Sequence, residues 1–503
     1  MVMNVCGLVS RNASLRPHSK AIICGDDGRI YNWSEFEKMV TRFSNALASM
    51  GVEKGDRVAI YLPNSPEFLF TYFAVARIGA IAVPFNILFR SGEITYVLNN
   101  SRAKVLVGAS AETREYLAGA GGDVPHLEKV ITVGERINGS LDFHALVSRA
   151  PEAFDVVDCS PDDIVSILYT SGTTGQPKGA MHSHGNLMAI GTLSSRILRI
   201  DDQDVLLTPT PFCHICFVLS ALGPLSVGAC SVTMRRFSPD KALELISRYR
   251  VTHFTGVPTM FIYMLHHFEE DKYDLTSWKY AYAAGASMPV QYIKEVEEKF
   301  GVEFAELYGL TETTSTVTYN RIGHGKKGSV GLAAEGTEVK LVDEAGNQVR
   351  VGEVGEILVK GPGVFKGYWE MPEATREVFD GEWYRTGDLG KYDEEGYLYI
   401  VGRKKEMIVC GGYNVYPREI EDVICQHPKV AEAAVVGVRD SARNEIPKAF
   451  VRLNEGEEMT EQELIEFCAQ RIASYKVPRQ VEFVPELPKS PSGKILKRLL
   501  PAS

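Results

Sequence analysis

The sequence predicts an α/β protein built on parallel sheets, followed by a smaller β-rich segment and a compact α+β module. Three observations carry this reading. From Trp33 to about residue 310, helical and extended patterns alternate, which is the texture of parallel sheets covered by helices on both faces. Beyond residue 325, glycines come at short intervals between β-rich runs, which suggests a smaller sheet or barrel. Near Gly402 a third texture begins, of about the size of a small independent domain.

The elements follow in order. Trp33–Met50 has helical apolar spacing, and Arg57–Leu62 reads as a strand. Ser65–Arg77 reads as a helix and Ile81–Val83 as extended. The stretch Phe68–Phe85 is the most membrane-like, but Arg77, Gly79 and Pro84 interrupt it, so a buried helix and a buried strand are expected rather than a transmembrane span. Ile164–Tyr169 reads as a buried strand and Asn186–Leu198 as a helix. Pro239–Tyr249 (helix), Thr252–Thr255 (extended), Pro289–Phe300 (helix) and Val302–Leu307 (extended) continue the alternation. Glu338–Val342 and Gly355–Lys360 are β-rich, while Gly361-Pro362-Gly363 with Gly367 reads as turns. In the last part Pro417–Gln426 is helical, and Ala431–Val438 and Ala449–Leu453 are extended. Thr460 with Glu463 forms a capping box for a helix running through Arg471.

The totals limit the function. With 503 residues the chain is too long for a single core. A net charge of −10 argues against a general nucleic-acid or anionic-membrane binder, so any anion site must be built locally. Nine dispersed cysteines fit reduced thiols, and Met1–Arg16 lacks the apolar run of a signal peptide, so a cytoplasmic protein is expected. Cys213 and Cys216 make one Cys-x-x-Cys around His214. Without a second pair, pocket or core packing fits them better than zinc or redox chemistry.

The chemistry concentrates in Tyr169–Gly179. Three glycines, four serine or threonine residues and one lysine fall within eleven positions. Glycines let backbone N–H groups approach an anion, hydroxyls add donors, and Lys178 adds a mobile charge, which together suit nucleotide phosphates. Its expected setting is a loop between a strand and a helix. Gln176 and Pro177 separate Gly175 from Lys178, so the loop is not a Walker A motif, and a plain surface loop is the alternative. Tyr308-Gly309-Leu310-Thr311-Glu312 offers a carboxylate and hydroxyls that suit Mg²⁺ beside phosphates, or else a solvated turn. Tyr384–Asp388 offers a carboxylate for two ribose hydroxyls, or else a salt bridge to Arg385. Gly402–Glu406 is a charged junction, and Pro491–Lys494 places a lysine after a glycine turn.

Taken together and in this order, these segments resemble the adenylate-forming superfamily of acyl-CoA synthetases, peptide-synthetase adenylation domains and luciferases. The resemblance runs from about Arg29 to Lys497. Tyr169–Gly179 matches the phosphate loop, Tyr308–Glu312 the Tyr-Gly-x-Thr-Glu motif and Tyr384–Asp388 the ribose motif. Gly402–Arg403 with Gly411-Gly412-Tyr413 matches the hinge-side motif, and Pro491–Lys494 the terminal lysine motif. The resemblance implies a large N-terminal domain (1–402) of two sheet-and-helix subdomains plus a small β-barrel. A mobile α+β C-terminal domain (403–503) would follow, hinged at about Lys405.

It further implies an AMP-forming acyl-CoA synthetase, an acid–thiol ligase using ATP, Mg²⁺ and coenzyme A. Lys494, Glu312 and Thr311 are the implied catalytic residues, with Glu312 on the metal. Thr170, Ser171, Gly172, Thr173, Thr174 and Lys178 would hold phosphates, and Asp388 and Arg403 the ribose. Tyr308, Gly285 and Ala286 would border adenine. Lys405, Gly411 and Gly412 would serve the domain movement and the thiol step. Gly309, which replaces the tryptophan of acetate and propionate enzymes, implies a longer, branched or aryl acid. The implied pocket wall is His214, Phe217, Val257, Gly285 and Gly309, with a buried, satisfied histidine as the alternative for His214. Transfer to a free carrier protein and a non-catalytic nucleotide sensor are the alternatives. The intact Lys178, Glu312, Asp388, Arg403 and Lys494 argue against the sensor.

Overall fold

The computed structural model describes residues 4–118, 123–170, 177–440, 443–489 and 495–501. The expected alternation yields two sheets. A seven-stranded sheet runs Leu141–Asp142, Lys129–Val133, Val105–Ala109, Arg57–Tyr61, Ile81–Pro84, Ile164–Thr170, Lys178–Ser183. All its neighbours are parallel except the last pair. A nine-stranded sheet has a parallel centre, in which Glu303–Tyr308, Tyr280–Ala283, His253–Gly256, Val205–Thr208, Cys230–Thr233 and Lys20–Cys24 lie side by side, and antiparallel strands at both ends. The β-rich middle segment forms a five-stranded antiparallel sheet around the long strand Trp383–Tyr392. The last sheet, also of five strands, is built from residues 408–483 and closes its own apolar cluster.

Local chemistry sets the helix ends. Asn32 and Glu35 form a reciprocal capping box for the helix Trp33–Ser49. Ser65 caps Pro66–Ile78, Pro66 occupies its first turn, and Gly79 ends it at φ 75°. Every residue of Pro66–Ile78 is buried, which accounts for the membrane-like run: it is the central helix of the core. Among the described residues no helix is long and apolar enough to cross a membrane. Arg77 survives in that core because its guanidinium is paired. It reaches Cys6 Sγ (3.3 Å), Ser10 Oγ (2.8 Å), Thr41 and Glu37.

The same helix positions the His214 turn. Phe68 packs on Phe212 with ring centroids 5.2 Å apart, and Tyr72 on Phe217 at 4.7 Å. Each such buried ring contributes about 2–3 kcal/mol, so the turn has a rigid base.

One local expectation is overturned. The phosphate loop does not run from a strand into a helix. It joins two antiparallel strands, with Thr170 opposite Lys178, and the helix His184–Ile197 starts only after the second. The alternation Lys178/Ala180/His182 against Gly179/Met181/Ser183 is a strand period, and the helix dipole therefore does not face the loop directly.

Candidate active site

The strand Glu303–Tyr308 ends at the edge where loops leave the parallel sheet, the usual place for a ligand. The chain then turns sharply. A Cβ on Gly309 would lie 1.2 Å from the carbonyl oxygen of Ser315, so backbone crosses backbone here and only glycine fits. The turn is strained further on, since Thr314 (φ 53°) and Ser315 (φ 91°) are left-handed without being glycine. Two hydrogen bonds hold it: Thr314 Oγ1 donates to Gly363 O at 2.6 Å in the buried interior, and Leu310 N donates to Thr313 Oγ1 at 2.9 Å. This crossing presents the one-turn helix Thr311–Thr313 just beyond the end of the strand.

Glu312 is the centre of that presentation. Its carboxylate accepts a 2.9 Å hydrogen bond from the Tyr368 hydroxyl, and its carbonyl accepts one from Phe365 N at 2.9 Å. Burial raises its carboxyl pKa above the usual range, and it has no ion-pair partner among the described residues. His182 braces the preceding residue: its Nε2 lies 2.8 Å from the Thr311 carbonyl. A carbonyl only accepts, so Nε2 carries the proton. Burial pushes the His182 pKa down to about 4, which keeps the ring neutral.

Tyr368 belongs to a segment that extends the phosphate-loop hairpin. Lys366 N donates to Met181 O (2.9 Å), Met181 N to Gly367 O (3.0 Å) and Trp369 N to Gly179 O (2.8 Å). This brings the Lys178 ammonium 5.0 Å from the centre of the Tyr368 ring.

Asp388 sits at the other side of the site. Tyr308 OH donates to its Oδ2 at 2.8 Å, and Arg403 Nε approaches Oδ1 at 2.9 Å. The ladder that pairs Asp388 with Arg403 sets this geometry. Arg385, the alternative partner, is engaged with Glu356 and Asp380. A carboxylate has about four acceptor positions, so Asp388 retains capacity for ligand hydroxyls.

Gly285 and Ala286 are exposed on the loop after Tyr280–Ala283. Gly285 has φ 84°, and a Cβ there would stand 3.7 Å from Val257 Cγ1, so these two predicted wall residues adjoin. Met288 N donates to the buried Glu306 at 3.1 Å, tying this loop to the strand of Tyr308; burial raises the Glu306 pKa to about 7. Among the described residues His214 Nε2 is buried without a hydrogen-bond partner, unlike a satisfied core histidine, and burial lowers its pKa. Phe217 is buried in the aromatic cluster and backs the turn from the core side. Burial pushes the thiols of Cys213 and Cys216 up to about 12 and about 11. Thiols held protonated in this way fit packing.

Several predicted residues lie outside the described ones: Ser171, Gly172, Thr173, Thr174 and Lys494. The flanks of the last are informative. Lys489 bridges Ile495 across the loop base, and its ammonium bonds Glu432 (2.6 Å) and Tyr263 (3.2 Å). Tyr263 belongs to the helix Pro258–His267, so the tail is docked on the large N-terminal part. Gly411 (φ 58°) and Gly412 (φ 86°) form a tight hairpin turn that only glycine-like residues favour. Its Tyr413 is 58% exposed and stacks on Tyr475 with centroids 4.5 Å apart. Lys405 is exposed, one residue after Lys404, which pairs with Glu356.

Sequence reasoning missed Tyr368 and His182. The first lies among residues that read as turns. The second would have emerged from a period-two reading of Lys178–Ser183.

The model of the AMP-binding enzyme family matches residues 9–369, and that of its C-terminal domain matches residues 419–494. The chain is 35% identical over 500 residues to long-chain-fatty-acid–CoA ligase FadD13 of Mycobacterium tuberculosis, covering 99% of this chain and 98% of that protein. It is 34% identical to crotonobetaine/carnitine–CoA ligase of Escherichia fergusonii, with 97% of each covered. The fold superposes on the anthranilate CoA ligase AuaEII, solved with anthranoyl-AMP, with a TM-score of 0.93 at 31% identity, covering 98% and 96% of the two chains. The protein belongs to the AMP-binding, adenylate-forming enzymes, and within them it is an acyl-CoA synthetase that joins a carboxylic acid to coenzyme A at the expense of ATP.

Proposed function

We propose that this enzyme activates a medium- or long-chain, branched or aryl carboxylic acid as its acyl-adenylate with release of pyrophosphate, and then passes the acyl group to coenzyme A with release of AMP. One observation carries this reading. Lys178, Glu312 and Asp388 come from distant segments and are drawn together through two tyrosines: Tyr368 touches both Lys178 and Glu312, and Tyr308, four residues before Glu312, holds Asp388, which supports Lys178 on phosphates and Asp388 on the ribose.

Both reactants of the first step are anions and repel one another. Lys494 is the cation assigned to bridge the acid carboxylate and the α-phosphate, with Lys178 and Thr170–Thr174 on the departing phosphates. Asp388 and Arg403 would hold the ribose. Tyr308 would lie along adenine, opposite Gly285 and Ala286. The half-buried carboxylate of Glu312, hydrogen-bonded to Tyr368 and without an ion pair among the described residues, fits Mg²⁺. With no larger cluster among the described residues, its remaining ligands would be phosphate and water oxygens, as that ion prefers. When bound, the ion would offset phosphate charge. The protein groups then act by positioning and electrostatics, with no covalent nucleophile.

The organisation proposed is an N-terminal part to residue 402 and a mobile part from 403, turning near Lys405. In the first half-reaction the tail bearing Lys494 is docked, consistent with the Lys489–Tyr263 contact. In the second, the Gly411–Tyr413 hairpin would replace it at the thiol channel. An acid larger than acetate is supported by relatives named for long-chain fatty acids and anthranilate; the bare Gly309 adds nothing to this, because the backbone crossing at Ser315 already demands glycine there. The pocket wall assigned is His214, Val257, Gly285 and Gly309, with Phe217 behind it.

The test is a panel of acids assayed for AMP and pyrophosphate, with and without coenzyme A. The same assay on Lys494→Ala should show adenylate formation abolished and thioester formation from supplied acyl-adenylate spared. Equal loss of both half-reactions refutes the role of Lys494, and ATP binding without turnover on any acid favours a sensor.

A further inference from the structure

We infer that Tyr368 is a positioning residue that sets Glu312 for its metal and keeps that carboxylate apart from Lys178. The inference rests on the reading of Glu312 as the magnesium carboxylate and of Lys178 as a phosphate cation. Three observations support it. The Tyr368 hydroxyl donates to Glu312 at 2.9 Å. The face of the same ring receives the Lys178 ammonium at 5.0 Å. The ring itself is 7% exposed and packs edge-on against Phe365, with centroids 4.9 Å apart, so it is a fixed post.

The physical argument concerns what two opposite charges do in a half-buried cleft before substrate arrives. An ammonium and a carboxylate that share one neighbour attract strongly where water is scarce. If they met, each would neutralise the group needed for phosphate or metal. Among the described residues neither makes an ion pair with any side chain. Tyr368 gives each a weaker, neutral partner: a hydroxyl for the carboxylate and a π-face for the ammonium. Both contacts can be exchanged for ligand oxygens or a metal ion without a salt bridge having to break. The hydrogen bond also fixes the carboxylate rotamer, and the backbone pairing of 366–369 with 179–181 fixes the tyrosine.

Tyr368→Phe removes the hydroxyl and keeps the ring and its packing, and Tyr368→Leu removes both. Three readouts separate the outcomes: the Mg²⁺ concentration for half-maximal pyrophosphate release, Mn²⁺ binding by electron paramagnetic resonance in the presence of ATP, and thermal midpoint. Tyr368→Phe should raise the half-maximal Mg²⁺ concentration and weaken Mn²⁺ binding about tenfold. Its KM for the acid and its thermal midpoint should stay near those of the wild type. Tyr368→Leu should in addition raise the KM for ATP. Glu312→Gln is the control. If it shifts the metal dependence while Tyr368→Phe does not, the inference about Tyr368 is overturned and the reading of Glu312 stands. If Glu312→Gln leaves the metal dependence unchanged, the reading of Glu312 itself fails and the inference with it. If Tyr368→Phe lowers the thermal midpoint and every rate together at unchanged metal dependence, Tyr368 is merely structural and the inference is again overturned.

Discussion

Tyr308 and Asp388 are eighty positions apart in sequence and share a 2.8 Å hydrogen bond, with Arg403 closing the opposite side of the carboxylate at 2.9 Å. The end of the parallel sheet is thereby locked to the antiparallel sheet, and a buried carboxylate is held ready at their junction.

Asp388→Asn should therefore affect stability as well as binding. It removes the charge that balances a partly buried guanidinium and weakens the tyrosine bond. A loss of about 2–3 kcal/mol in unfolding free energy is expected, with a rise of about tenfold or more in the KM for ATP. Tyr308→Phe should show the milder form of both effects. Urea melts and ATP titrations check this, and a KM left unchanged in Asp388→Asn would remove Asp388 from the nucleotide site.

Gly309 and Gly285 are both glycines of the cleft, but their substitution should differ in cost. Alanine at 309 must displace backbone, since its Cβ would fall 1.2 Å from Ser315 O, whereas at 285 the nearest atom is 3.7 Å away. Gly285→Ala should cost about 1–2 kcal/mol for its left-handed backbone. Gly309→Ala should cost more and abolish adenylate formation, although a methyl group hardly fills an acyl pocket. Parallel denaturation and pyrophosphate assays decide it; equal, small costs would mean that the crossing at Ser315 is soft.

His182 gives stability a pH dependence. Its folded pKa, about 4, lies below the ordinary 6.5, so between these values the unfolded chain binds a proton that the native state refuses. Stability from this group is complete above pH ~6.5 and is lost as pH falls toward ~4, to a total on the order of 3 kcal/mol. His184, also buried and held near 4, acts in the same direction. His182→Gln can keep a donor to Thr311 and should flatten the stability profile over this range by about one proton. An unaltered slope would show that the ring is not the titrating group.

Lys489 touches Tyr263 across the boundary between the tail and the large part of the chain. Its bond to Glu432 is internal to the last lobe, whereas its bond to Tyr263 spans the boundary that the proposed domain movement would have to break. Tyr263→Phe should slow adenylate formation about three- to tenfold and leave thioester formation from supplied acyl-adenylate unchanged. Single-turnover measurements of each half-reaction make the comparison.

Residues close in sequence carried the element order, the helix caps at Ser65 and Thr460, and the segments at 169–179, 308–312 and 384–388, because spacing, turn chemistry and charge are written along the chain. That was enough for the α/β class and the family. Only the tertiary structure decided that the phosphate loop closes a hairpin, that Glu312 meets Tyr368, that Thr311 meets His182 and that Asp388 turns to Arg403 and Tyr308 rather than to Arg385. The reason is physical. Hydrogen bonds between groups 56 to 129 residues apart depend on which strands lie side by side, and local periodicity holds no record of that choice.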